Sequence, residues 1–201
     1  MKKLLLILLL CSSAMAQQPP WSASTSYNQT FRTYSATAAA VTPFATPTDL
    51  CTLAGNPTTT IRVTRVIVSS TQTTSGVNVF YLTKRSTIDG VTGTAMTVVP
   101  HDSGSGPAKA LPYSWPSPGV SPSPQPSPLG TFVGNLAAFH LVSPNPATTA
   151  VVASPYVSQY DSDNTSNPIT LHSTEQLSVN FNGAALPPGL SLNCTFEWTE
   201  F

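Results

Sequence analysis

The chain has 201 residues, balances 8 Lys and Arg against 8 Asp and Glu, and is only 8% charged. With no clustered basic patch, it lacks what phosphate-backbone recognition of nucleic acid requires, namely several cations that displace counterions together. Its 25 Ser and 28 Thr place solubility on hydroxyl groups, and β-branched Thr favours pleated, half-buried strands over helices.

At the N-terminus Lys2 and Lys3 precede the unbroken apolar run Leu4 to Leu10, and Ala14-Met15-Ala16 follows. A positive start, an apolar stretch and a small-x-small site are the three parts of a secretory signal peptide, here residues 1–16, with cleavage before Gln17. The run falls far short of the roughly 20 residues that span a bilayer, so no membrane span is expected in the mature chain. Leu10 stands before Cys11 where a lipoprotein peptidase needs a small residue. Export predicts a periplasmic or extracellular protein, and loss of the two lysines leaves it slightly acidic.

Residues 17–46 are rich in Ser, Thr and Ala with scattered aromatics, Trp21, Tyr27, Phe31 and Tyr34, and show no sustained period. They read as a flexible or extended N-terminal arm. From residue 47 to 201 short extended runs recur between turn residues: TDLCTL, TIRVTRVIVSS, VNVFYLTKRS, TAMTVVP, TFVGNLAAFHLV, TTAVVAS, PITLHS, QLSVNFN and LSLNCTFEWTE. Strands at this spacing without helical stretches predict one all-β domain, a single antiparallel β-sandwich of jelly-roll type. Arg62 with Arg65 and Lys84 with Arg85 fall on strands, where such pairs serve as solvated positions or edge protection.

Seven prolines between Leu111 and Leu129 keep that segment out of a sheet interior, since each removes a ladder donor and fixes φ. It reads as a Pro-rich polyproline loop, 111–129, inserted between strands; a ligand for an aromatic groove is the functional alternative. Near the end, Leu177, Val179 and Phe181 alternate with polar residues, and so do Leu190, Leu192, Cys194, Phe196 and Trp198. These two runs read as a hairpin with one buried and one wet face.

Cys51 and Cys194 each lie on the apolar face of a run. An exported protein permits a disulfide between them; two buried free thiols acting as small hydrophobes are the alternative, and sequence does not choose.

Chemistry-bearing residues are sparse. His101-Asp102-Ser103 has the composition of a catalytic triad, but a triad places the imidazole between its partners in space, and residues adjacent in an extended chain point to alternating sides. The following GSGPAKALP is turn chemistry, so Asp102 and Ser103 are expected to close a turn. No G-x-S-x-G elbow is present. His101, His140 and His172 lack metal-ligand spacing. Asp161 to Asn167 begins like a calcium loop but has Ser166 and His172 where a glycine and a glutamate belong. Glu175, Glu197 and Glu200 offer carboxylates without an identifiable partner. No catalytic, cofactor or metal residue is assigned.

The run TPTDLCTLAGNPTTTIRVTRVIVSSTQTTSGVNVFYLTKRSTIDGVTGT, with VPHDS, ITLHSTEQLSVNFNG and GLSLNCTFEWTE, resembles small β-sandwich proteins of tailed phages and environmental viral sequences. The likeness covers roughly residues 46–200. It implies a non-enzymatic, virion-associated structural protein, of capsid-decoration or fibre type, that packs against copies of itself or a shell. The export signal, the proline-rich insertion and the cysteines depart from that pattern. A secreted or surface binding module, of the kind that holds carbohydrate in its loops, is the alternative from a different class.

Overall fold

The computed structural model describes residues 31–43, 48–90, 93–115, 126–143, 151–152, 156–159, 168–181 and 189–201. Its strands are β1 (Arg32–Val41), β2 (Thr48–Ala54), β3 (Ile61–Gln72), β4 (Gly76–Arg85), β5 (Thr94–Ala95), β6 (Val98–Pro100), β7 (Leu111–Ser114), β8 (Phe132–Ser143), β9 (Val151–Val152), β10 (Tyr156–Gln159), β11 (Ile169–Leu171), β12 (Gln176–Phe181) and β13 (Ser191–Glu200). One sheet runs β10-β3-β13-β1-β6, with β9 and β11 also pairing β3; the other runs β5-β7-β2-β12-β4-β8. Every pairing is antiparallel, and the two sheets pack face to face as the expected β-sandwich.

Alternation builds the core. On β13 Leu192, Cys194, Phe196 and Trp198 are fully buried while the residues between them are half-buried. They meet Phe80 and Leu82 of β4, Leu177, Val179 and Phe181 of β12, and Phe139 and Leu141 of β8 in a single apolar cluster. Each such side chain contributes about 2 kcal/mol by leaving water. β3 breaks strict alternation, since Val63 and Val66 are both buried. A register shift opposite Glu197 and Trp198 absorbs the extra residue and returns Val66 and Val68 to the core.

Cys51 of β2 and Cys194 of β13 are disulfide-bonded with their Cα atoms 6.6 Å apart, so the bridge crosses from one sheet to the other.

Four expectations change. Arg32–Val41, assigned to the arm, is a strand that pairs with both β13 and β6, so the sandwich begins before residue 47. Its buried set, Tyr34, Ala36 and Ala38, consists mostly of methyl groups, too weak a contrast with Ser35 and Thr37 to register as a period of two. The Pro-rich loop is shorter than residues 111–129: Leu111–Ser114 is β7, Trp115 is buried, and its N–H donates to the Leu50 carbonyl at 2.9 Å. Pro112 is accommodated one strand from the sheet edge, where its carbonyl accepts the Met96 N–H at 3.0 Å. The β12–β13 hairpin does not form, because β12 pairs β2 and β4 in one sheet and β13 pairs β1 and β3 in the other. Alternation reports a buried face but not which sheet holds it. Finally, Arg85 is buried rather than solvated. The signal segment, the rest of the arm, the calcium-like loop and residues 116–125 lie outside the described residues.

Candidate functional site

Three places concentrate polar or apolar groups beyond the core. The first is a closed polar cluster on the outer face of the β2–β12–β4 sheet. A register shift at Leu50 turns Asp49 outward, opposite Asn180. There Arg85 donates from Nε and Nη2 to the two Asp49 oxygens at 2.6 and 2.8 Å and from Nη1 to the Gly130 carbonyl at 2.8 Å. Asn180 Nδ2 donates to Asp49 at 2.7 Å, and Gln176 Nε2 to Asp89 at 2.9 Å. The Gly130 N–H donates to the other Asp89 oxygen at 2.8 Å.

The cluster is sealed. Asp49, Arg85, Asp89, Gln176 and Ser178 are all buried beneath the segments around Asp89 and Gly130. A side chain at Gly130 would put its Cβ 2.0 Å from the Thr87 carbonyl, so glycine is what permits the close crossing. Burial works against charge on Arg85, but the Asp49 hydrogen bonds and the fields of Asp49 and Asp89 outweigh it and raise its pKa. Burial, with the neighbouring Asp49 charge, pushes Asp89 up against the lowering by Gly130, Gln176 and Arg85. Raised carboxyls occur in catalytic sites. Here, however, both Asp89 oxygens already accept protein donors and no solvent reaches them, so the arrangement ties segments to the sheet.

The second place is an open cleft of about 370 Å³ between the β6 edge of one sheet and the β5–β7 edge of the other, lined by Tyr34, Met96, Val98, Pro107, Pro112 and Tyr113. Its roof hangs from the last strand. Glu200 accepts the N–H groups of Lys109 and Ala110 at 2.9 Å and the Trp198 indole N–H at 3.0 Å. Tyr34, stacked on Trp198 with ring centroids 5.8 Å apart, donates its hydroxyl to the Gly106 carbonyl at 2.8 Å. The Tyr34 hydroxyl is thus committed to the cleft wall.

The third is the free edge of β8. Among the described residues β8 closes its sheet with no strand beyond it. Phe132, Val133, Leu136 and Val142 on this strand are 47–59% exposed, as is Val77 opposite Val142 on β4. This edge is the candidate functional site.

His101-Asp102-Ser103 forms the expected turn: the Asp102 carboxylate accepts the Gly104 N–H and its carbonyl the Ser105 N–H, both at 2.9 Å. All three residues are exposed. His140 lies on β8, and His172 follows β11, where its N–H donates to Glu175 at 2.9 Å. Among the described residues no three His, Cys, Asp or Glu side chains come together as metal ligands, and no helix is long and apolar enough to cross a membrane. Arg65 pairs with Glu197 and Lys84 with Glu175.

The sequence reading missed Asp49, Arg85, Asp89, Gln176 and Glu200 as buried anchors. Charged residues embedded within strand-forming runs, as in TDL, TKRST and EWTE, were the available signal. No protein-family model, curated protein or solved structure matches the chain.

Proposed function

We propose that this chain is a non-enzymatic structural protein, exported and assembled with copies of itself or onto a shell, in the manner of a virion decoration or fibre-type β-sandwich. One observation carries the reading: β8, twelve residues without a charged side chain, ends its sheet among the described residues with large apolar groups exposed. Monomeric proteins blunt such edges because an unpaired ladder recruits another strand. The buried charges support it as well, since they fasten loops over the sheet and leave a rigid block suited to assembly. The resemblance to phage virion sandwiches expected from the sequence agrees with this reading.

A binding module is the second reading, favoured by the cleft beneath Tyr34. Its lining of Met, Val and Pro side chains suits an apolar or proline-rich ligand better than a sugar, which needs several free hydrogen-bonding groups.

Sedimentation velocity of the exported chain, together with mass spectrometry of purified particles and culture medium, separates the two. Oligomers or particle association are expected. A chain that is monomeric throughout and absent from particles would refute the structural role.

A further inference from the structure

We infer that the β8 edge is completed by a second copy of this chain, which lays its own β8 antiparallel across a two-fold axis at His140. The inference rests on the structural reading above and names the partner. FVGNLAAFHLVS contains no Asp, Glu, Lys, Arg or Pro. Yet β8 stands at the end of its sheet. The remaining edge strands are short: β5 and β9 have two residues, β11 has three, β10 has four, and β6 has three and ends in Pro100. Brevity, proline and bulges are the usual protections, and of these β8 has only the two bulges in its first half.

Geometry selects the paired stretch. Register shifts at Leu136 and Val133 interrupt the first half of β8, whereas Ala137 to Ser143 pairs with β4 without interruption. An axis perpendicular to the sheet keeps core-facing residues opposite core-facing residues, so it must pass through a residue rather than between two. Centred on His140, it sets Phe139 opposite Leu141, Ala138 opposite Val142 and His140 opposite its own copy. Phe139 and Leu141 are buried in the core, so the two cores become continuous across the seam. Exposed Val142 gains a small neighbour, and no carboxylate, Lys or Arg meets its like. This self-complementarity is what a two-fold interface demands and what an arbitrary foreign strand does not supply.

Seven residues span about 24 Å. Such a seam buries on the order of 1,000 Å² in total, just under the roughly 1,200 Å² at which stable interfaces begin. A concentration-dependent dimer is therefore expected.

The test combines sedimentation with crosslinking. Opposed Cα atoms in an antiparallel pair lie about 4.5–5.5 Å apart, within disulfide reach. With Cys11 replaced by Ser, His140→Cys should form a covalent dimer on mild oxidation far faster than Thr37→Cys, an exposed position on the other sheet. His140→Lys, melting like the parent, should raise the dimer dissociation constant roughly tenfold or more, because each lysine then stands directly opposite its own copy. If the parent self-associates while His140→Cys crosslinks no faster than Thr37→Cys and His140→Lys associates normally, β8 is not the interface, and the structural reading stands without it. A parent that stays monomeric at every concentration overturns the second-copy interface, and the structural reading too if particles lack the chain.

Discussion

The two flanks of the β5-β7-β2-β12-β4-β8 sheet solve the edge problem in opposite ways. On the β5–β7 side the edge strand is two residues long, Pro112 sits in the next strand, and behind it all seven residues of β2 are buried. Across the middle of the sheet, the outer face of β2, β12 and β4 is roofed by segments held through Asp49, Arg85 and Asp89, and the inner face is tied to the opposite sheet by Cys51–Cys194. On the β8 side, among the described residues, no strand lies beyond the edge, and Phe132, Val133, Leu136 and Val142 are exposed. One flank holds the monomer together; the other is left to the assembly. Substitutions should therefore divide between stability and association according to the flank they fall on.

The largest effect belongs to the locked flank. Asp49→Ala strands the buried Arg85 guanidinium and should cost about 3–5 kcal/mol in urea unfolding. Replacing both residues with apolar ones of similar volume should cost much less, and equal losses would show that the charge is not the issue. Next comes the disulfide, which joins residues 143 apart in sequence. Its removal by Cys51→Ala with Cys194→Ala should cost about 2–4 kcal/mol, mostly by freeing the unfolded chain.

A smaller effect follows pH. Asp89 has a raised pKa, chiefly from burial and then from Asp49. A carboxyl raised in the folded state contributes fully below its ordinary, unfolded value and loses that contribution as pH rises through the raised one. Asp89→Asn should flatten this fall in a stability–pH profile; an unchanged profile would mean that Asp89 is not desolvated. The smallest effect is on the open flank. Val142→Lys should change the unfolding free energy of the dilute monomer by less than about 0.5 kcal/mol, as at other exposed positions.

The same contrast explains how far the sequence could be read. β13 was legible because Leu192, Cys194, Phe196 and Trp198 are large, buried and strictly alternating. β1 was not, because Ala36 and Ala38 bury little more than methyl groups. Sheet membership was illegible as well: β12 and β13 carry the same alternation but lie in opposite sheets, which depends on tertiary pairing that no local pattern encodes. The polar cluster was hidden for a related reason. Arg85 and Asp49 are 36 residues apart, and a charged residue in a strand reads as a solvated face until its partner is seen. As for β8, its charge-free sequence reads as an ordinary strand; only the fold shows that, among the described residues, it ends its sheet.

Hydrogen exchange of the β8 amides at low and high protein concentration tests the assembly role most directly. Pairing with a second copy predicts that exchange within Ala137 to Ser143 slows when the protein is concentrated, while β2 and β12 stay equally protected at both concentrations. Exchange across Ala137 to Ser143 that is identical at both concentrations, in a chain that sediments as a monomer, would contradict it.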